Sequence, residues 1–491
     1  MTAASRWRGG YWLPALVVGL LWLARYAHDF GFPAAPPWAG WFDQSRYLAS
    51  VRALMQLDFD AAQHWYPPAY ALSALPFAWI TPNTPFLIAD MVLFALTAAA
   101  FARAMRPFGI GPWLGAAIFA LSTLTISQVA ILWVEPWTTT LSAALLYGLF
   151  AAMAMLFESE GKPPAGPLVA VGALVAALPA TRPADAVGGL AALVAAGVIA
   201  ARRGVLDRRT IGLVAAGGLA VALPYGLLYL AIYGPELSGY IIAGRGQGFA
   251  FGDLPWKAYT LLVAPRPWFP DGRGLIEVAP FLLPGAAGLV ATAAIGGQAA
   301  RRMLALIAAT GLPLLAIQLA YTDFQPSGMW VYGNAHYLIW LLPLGGAGMW
   351  LWLRAFIRWR DWAVTMAATL ALLALICVRP LPEAVGDDRP ARMLMFHGVL
   401  ARHWSEAYFA SVVIRDAKGT MKNVGGFHQL PDDHGEREIA IGRLFNGPAE
   451  RLDPGESAHY AGWQRPYARY AVRLSFGWPR WDRRRACDLP R

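Results

Sequence analysis

The sequence predicts an all-α polytopic membrane protein with about eleven net crossings, long outer loops and a small mixed α/β C-terminal domain. Composition, the length of the apolar blocks and the placement of basic residues carry that prediction. Of 491 residues, 57% are hydrophobic and 14% are charged, against a charged fraction of roughly 25% in ordinary soluble domains. The apolar residues fall in blocks of about 16–22, the length that crosses a hydrocarbon core about 30 Å thick. The net charge of +10 comes mostly from Lys and Arg in short loops between these blocks. That placement carries topology information rather than forming a binding stripe, so no nucleic-acid partner is expected.

Taken in order, Arg6 and Arg8 precede an apolar run from Tyr11 to Ala24 with no small-residue cleavage site after it, which predicts a retained first helix over 11–26. Further spans are expected at 67–105 (one or two segments), 112–133, 137–157, 165–180, 185–201, 210–232, 275–296, 303–321, 336–353 and 362–378. Three loops, 27–66, 233–274 and 322–335, are too long for mere connection. The transmembrane domain is thus 1–378. The polar remainder, 379–491, reads as a separate domain with an amphipathic helix over 391–413 followed by short strands and turns. With the N-terminus inside, the clusters Arg103/Arg106, Lys162, Arg202/Arg203/Arg208/Arg209, Arg301/Arg302 and Arg354/Arg358/Arg360 all fall inside if 67–105 makes one net crossing. The three long loops, the C-terminal domain, Glu135 and Arg182 then share the outer face. Usage rich in Ala, Arg and Trp suggests a GC-rich bacterium, and hence an inner (plasma) membrane with that face in the periplasm. The two cysteines, Cys377 and Cys487, have no metal-ligand spacing; a disulfide between them is one reading.

The first outer loop carries Asp43-Gln44-Ser45-Arg46-Tyr47, then His64-Trp65-Tyr66-Pro67-Pro68 opening a helix. A carboxylate just beyond the first membrane helix is costly unless solvated or paired, which marks Asp43 as a functional candidate. This loop resembles the first loop of the GT-C superfamily, membrane glycosyltransferases that use polyprenyl-phosphate-linked sugars and include protein O-mannosyltransferases and lipid A aminoarabinose transferases. In that family the loop reads Asp-Glu-x-Arg-Tyr with a catalytic Asp, the position of Asp43; Gln44 departs from the second acid. Glu135-Pro136 is similar to the family's second acidic site. Thr181-Arg182-Pro183 resembles its Thr-Arg-Pro turn, Tyr233-Gly234-Pro235 with Ser238-Gly239-Tyr240 resembles the beginning of its second long loop, and Arg273-Gly274-Leu275 with Pro280 resembles the end of that loop. Gly333-Asn334-Ala335-His336-Tyr337 stands where many relatives carry Gly-x-Arg-Tyr, with His336 in place of the Arg.

The resemblance implies transfer of a sugar from a polyprenyl-phosphate donor to a glycan, lipid or protein acceptor, with Asp43 as general base. Arg182, Arg273 and His336 are the implied donor-phosphate contacts, and Arg46, Tyr47, His64, Tyr66 and Tyr337 the implied pocket. Glu135 would assist the base, orient the acceptor or join a divalent metal (Mg, Mn or Zn) with Asp43. Each residue also has a plainer reading. Arg182 can cap a helix end, Arg273 can snorkel at the interface, His336 can be a satisfied group between helices, and Glu135 suits a helix N-terminus. His64 and Tyr66 can serve as interfacial anchors, and no role is assigned to Asp185 or Asp323. Most of the 22 tryptophans read as interfacial belts, with Trp41, Trp65 and Trp330 the better candidates for sugar or isoprenoid contact. Rival functions are a lipid-linked oligosaccharide ligase or polymerase, a transporter or flippase, and a non-catalytic scaffold. Transporters usually show internal repeats and ionisable residues in mid-helix, whereas here these residues sit at helix ends and in loops.

Overall fold

The computed structural model describes residues 10–33, 36–159, 161–249, 251, 254–265, 273–321, 324, 329–330, 333–357 and 361–384, and beyond these the strands named below and residues 477–479. Helices dominate: α1 (Trp12–Phe30), α2 (Phe42–Met55), α3 (Ala69–Ala78), α4 (Phe86–Ala104), α5 (Pro112–Leu124), α6 (Ser127–Val134), α7 (Thr138–Glu158), α8 (Ala165–Thr181), α9 (Ala186–Arg202), α10 (Arg208–Tyr233), α11 (Gly239–Gln247), α12 (Leu254–Ala258), α13 (Leu275–Val278), α14 (Leu282–Ile295), α15 (Gln298–Ala320), α16 (Leu341–Ile357) and α17 (Trp362–Cys377). Among the described residues, five helical stretches are long and apolar enough to cross a membrane: Phe86–Ala104, Thr138–Glu158, Pro183–Arg202, Arg208–Tyr233 and Gln298–Ala320. The α5–α6 pair makes a sixth if counted as one span, and five shorter apolar helices accompany them.

Three expected spans are built differently from a straight rod, one of them 275–296, which is broken into α13 and α14. The 67–105 stretch is two helices, and only α4 reaches spanning length. The 112–133 stretch bends by 101° between α5 and α6. Near that bend Thr123 and Thr125 donate their hydroxyls to the carbonyls of Phe119 and Leu121, four residues back. Such back-bonding competes with the regular ladder and bends helices.

By its internal contacts the chain divides into two units: Met1–Gly246 with Phe281–Ile317 and His336–Leu370, and Gln247–Pro280 with Gln318–Ala335 and Ala371–Arg491. In the first unit, helices meet through small residues, as helices must where lipid removes the hydrophobic drive to associate. A Cβ on Gly288 would lie 2.1 Å from the carbonyl oxygen of Gly348, and one on Gly285 would lie 2.3 Å from that of Gly345, so α14 and α16 touch backbone to backbone. Gly217 lets α10 approach Val169 on α8 in the same way. A separate cluster of Trp38, Tyr47, Val51, Leu54, Tyr70, Ala74 and Phe86 fixes α2 on α3 and the start of α4.

The second unit contains α12, α13 and antiparallel strands: β1 (Val378–Ala384), β2 (Leu394–Phe396), β3 (Leu400–Ala401), β4 (Ala407–Arg415), β5 (Met421–Phe427), β6 (Glu438–Ile439), β7 (Ser457–Gln464) and β8 (Tyr470–Phe476). They form a four-stranded sheet of order β2-β7-β4-β5 and two ribbons, β1-β8 and β3-β6. The helix expected over 391–413 is corrected: its described parts are strands β2, β3 and most of β4. The aromatic and β-branched run Tyr408-Phe409-Ala410-Ser411-Val412-Val413-Ile414 favours a pleated strand over a helix. Cys377 is buried at the end of α17, while Cys487 and Asp323 lie outside the described residues.

Candidate active site

Two helix breaks and one loop end in the first unit are written by prolines. The residue before a proline is pushed out of the α conformation. Glu135, before Pro136, is extended (φ −78°, ψ 144°), and so is Arg182, before Pro183 (φ −147°, ψ 122°). Tyr66 stands before Pro67, just ahead of α3. Glu135 and Arg182 therefore leave their helix axes at a break, Tyr66 sits in the loop ahead of α3, and the three positions are joined by the contacts that follow.

Asp43 occupies the first turn of α2, where the helix dipole favours an acid. The Tyr66 hydroxyl donates to its Oδ1 at 2.5 Å, a charge-assisted bond. Burial first, then the neighbouring Tyr47 and Asp43, push the Tyr66 phenol well above its ordinary value, so Tyr66 is the donor in this pair. The Tyr66 ring lies 4.8 Å from that of Tyr47 and 4.8 Å from that of Tyr240. Tyr240 in turn neighbours the guanidinium of Arg182, whose charge acts on its phenol. The loop that delivers Tyr66 is clamped from α10 and α11. The Tyr233 hydroxyl lies 2.6 Å from the carbonyl of His64 and 2.9 Å from that of Tyr66, and the Tyr240 amide donates to the Trp65 carbonyl. A Cβ on Gly239 would sit 2.5 Å from the Trp65 ring, so only glycine fits that approach.

Arg182 is 5% exposed. Its guanidinium lies 4.4 Å from the centre of the Tyr337 ring, and its Nη1 is 3.9 Å from Oδ1 of Asp185. Nη1 is buried and has no hydrogen-bond partner among the described residues. Burial alone favours the neutral guanidine, but Asp185, then Tyr240 and Tyr337, outweigh it and hold the group up, so Arg182 is cationic. Asp185 is itself steadied by Ser142, whose hydroxyl donates to Oδ2 at 2.5 Å.

His336 stacks on Trp137 at 4.1 Å with 10° between the planes, and its Nδ1 lies 3.0 Å from the Thr139 hydroxyl. Burial, then the charge of Arg182, hold its imidazole well below the ordinary histidine range. His336 is therefore neutral near pH 7, able to hydrogen-bond a phosphate but not to bring charge to one. Glu135 is buried, with its Oε2 3.3 Å from Trp137 Nε1, and burial pushes its carboxyl up to about 7. Gln44 Nε2 donates to the Pro136 carbonyl at 3.2 Å, which ties α2 to the Glu135 turn. A carboxylate at position 44 has no proton to give that carbonyl, which supplies a physical reason for Gln in this sequence.

The remaining expected site residues divide. Arg46 lies over the rings of Phe42 and Trp65, at 5.2 and 5.8 Å. Tyr47 is buried in the α2–α3 cluster with one edge against Tyr66. His64 is fully buried, with Nδ1 2.7 Å from the Ser50 hydroxyl and Nε2 2.9 Å from the Asp58 carbonyl, so both ring nitrogens serve to lock its own loop. That uses up the group expected to line the pocket. Arg273 belongs to the second unit, where its carbonyl accepts from Trp330 Nε1 at 2.8 Å. Tyr240, Asp185, Ser142, Trp137 and Thr139 complete the cluster without having been assigned roles from sequence. Trp137 and Asp185 sit two and three residues from Glu135 and Arg182, whereas Ser142 and Thr139 meet partners 43 and 197 residues away, which nothing local marks.

The described residues do not offer a zinc site of three protein ligands. Among the described residues no group of three or more His, Cys, Asp or Glu converges, while a catalytic zinc usually has about three protein ligands. Comparison with protein-family models, with curated proteins and with solved structures gives no match.

Proposed function

We propose that this chain is a membrane glycosyltransferase of the GT-C type, which moves a sugar from a polyprenyl-phosphate donor to an acceptor. In this reading the chain crosses a bacterial inner membrane about eleven times and presents the Asp43–Arg182 cluster to the periplasm. The observation that carries the proposal is the buried, cationic Arg182 with an unsatisfied Nη1, linked through Tyr240 and Tyr66 to the carboxylate of Asp43. A donor phosphate supplies the acceptor oxygen that Nη1 lacks, and an arginine can hold phosphate through two hydrogen bonds.

The acceptor hydroxyl attacks the anomeric carbon, its proton passes to Asp43, and the bond from that carbon to the phosphate oxygen breaks. Negative charge grows on the departing polyprenyl phosphate, where Arg182 stabilises it and neutral His336 adds a hydrogen bond. Glu135, with a carboxyl that titrates near neutrality, orients the acceptor or relays its proton. No step is assigned to a metal.

The test is transfer of radiolabelled sugar from a panel of short-chain polyprenyl-phosphate sugars to membrane extracts by the purified full chain, with Asp43→Asn as control. Wild-type transfer that falls by roughly 10²–10⁴-fold in Asp43→Asn, the usual worth of a general base, supports the reading. Full transfer by Asp43→Asn removes the base assignment. Failure with every monosaccharide and oligosaccharide donor removes the function.

A further inference from the structure

At the opposite end of α8 and α9 from Arg182, a partly open cavity of about 350 Å³ lies among α7, α8, α9 and α10. It is separate from the cluster described above, since the 17 residues of α9 extend about 25 Å at a rise of about 1.5 Å each. Leu156, Val171, Leu193, Ile199, Leu206 and Val214 give it an almost wholly apolar wall.

The polar side chains that reach the cavity are occupied. Thr210 donates its hydroxyl to the Val205 carbonyl, and Arg203 donates Nη1 to the Leu156 carbonyl and Nη2 to that of Ser159. Nothing in the wall therefore invites a polar ligand. The mouth is different. Exposed Lys162, Arg202 and Arg208 are chain neighbours of the lining residues Pro163 and Arg203 and of the α10 start, Arg209 donates Nη1 to the carbonyl of the lining Pro163 at 3.0 Å, and the acids near them are few. Asp207 caps α10 through the Thr210 amide, and Glu158 is held by Arg103 and Arg106. Three of the four lining helices lie in stretches of membrane-spanning length and composition.

We infer that this cavity holds one acyl chain of an anionic phospholipid, with the phosphate headgroup at the Arg202/Arg208/Arg209 rim. An apolar slot inside the bilayer selects hydrocarbon over water, and a basic rim at its end selects an anionic headgroup over a zwitterionic one. The inference does not depend on the proposed sugar transfer.

Gly197 lines the slot, and a Cβ added to it meets nothing within 4 Å, so a leucine there fills the cavity without a backbone clash. The experiment titrates the purified full chain in detergent with dioctanoyl phosphatidylglycerol and, separately, with dioctanoyl phosphatidylcholine. Saturable stabilisation against thermal unfolding is the readout. Wild type is expected to bind the glycerol lipid at least tenfold more tightly than the choline lipid. Gly197→Leu should weaken both by about tenfold or more. Arg202→Gln/Arg208→Gln should weaken the glycerol lipid alone, by roughly thirtyfold, since each arginine near an anionic headgroup is worth about fivefold. Equal binding of the two lipids by wild type, or unchanged glycerol-lipid binding in Gly197→Leu, overturns the inference. Should Gly197→Leu fail to fold, the arginine pair decides, because both side chains are exposed; unchanged binding there overturns the inference equally.

Discussion

Two buried polar clusters of the first unit invite comparison. Around His64 every strong group is paired: Ser50 holds Nδ1, the Asp58 carbonyl holds Nε2, and the His64 carbonyl accepts from Tyr233. Around Arg182 the pairing stops short: among the described residues Nη1 has no hydrogen-bond partner, and a carboxylate oxygen lies 3.9 Å away. Buried polar groups are nearly always satisfied, because leaving one without a partner costs about 1–3 kcal/mol and more for a charge. The first cluster therefore reads as a clasp that sets the course of the 58–66 loop. The second reads as a place where the missing partner arrives from outside.

The largest expected effect comes from Arg182→Leu. Loss of a group that stabilises the departing charge should lower transfer by roughly 10²–10³-fold. It also leaves Asp185 buried without its cation, which costs about 3–5 kcal/mol of stability. Adding Asp185→Asn should restore most of that stability and none of the transfer, as read by thermal unfolding and by the radiolabel assay. Restored transfer would place Arg182 with His64, as a structural group. His64→Leu comes next, since it strands the Ser50 hydroxyl and the Asp58 carbonyl together, at about 1–3 kcal/mol each. Protein that folds at low temperature should nevertheless transfer sugar at close to the wild-type rate. A folded but inactive His64→Leu would erase the distinction between the two clusters.

Much of this was legible in the chain. Apolar block length marks the helices, and the pre-proline positions Glu135 and Arg182 mark where side chains leave them. What the sequence hides is long-range pairing. Nothing near His64 or His336 tells which one meets Ser50 and a carbonyl and which one stacks on Trp137 beside an arginine. Gln44 likewise looks like a degraded acid until its amide is found on the Pro136 carbonyl, 92 residues away. The 101° break between α5 and α6 has a local signal, since the polar residues Ser122, Thr123, Thr125, Ser127 and Gln128 interrupt the apolar block at the bend, but block length alone does not show it. At the C-terminus, the amphipathic spacing fits a helical period while the aromatic and β-branched content favours strands, and the strands prevail.

Glu135 tests the comparison most finely, because it lies between the two cases: buried and bonded to Trp137, yet with its carboxyl pushed up to about 7 from 4.5, chiefly by burial. Between those values the folded chain keeps a proton that the unfolded chain has released. Unfolding then sheds a proton, so stability falls as pH rises from about 4.5 to about 7 and levels off above that. The whole difference amounts to about 3 kcal/mol at most. Glu135→Gln removes this slope, and its amide oxygen can still accept from Trp137 Nε1. Its unfolding temperature relative to wild type should therefore climb from pH 5 to pH 8 and stay constant beyond. A difference that stays flat across that window would mean Glu135 is ionised and paired throughout, which would align it with the His64 clasp rather than with Arg182.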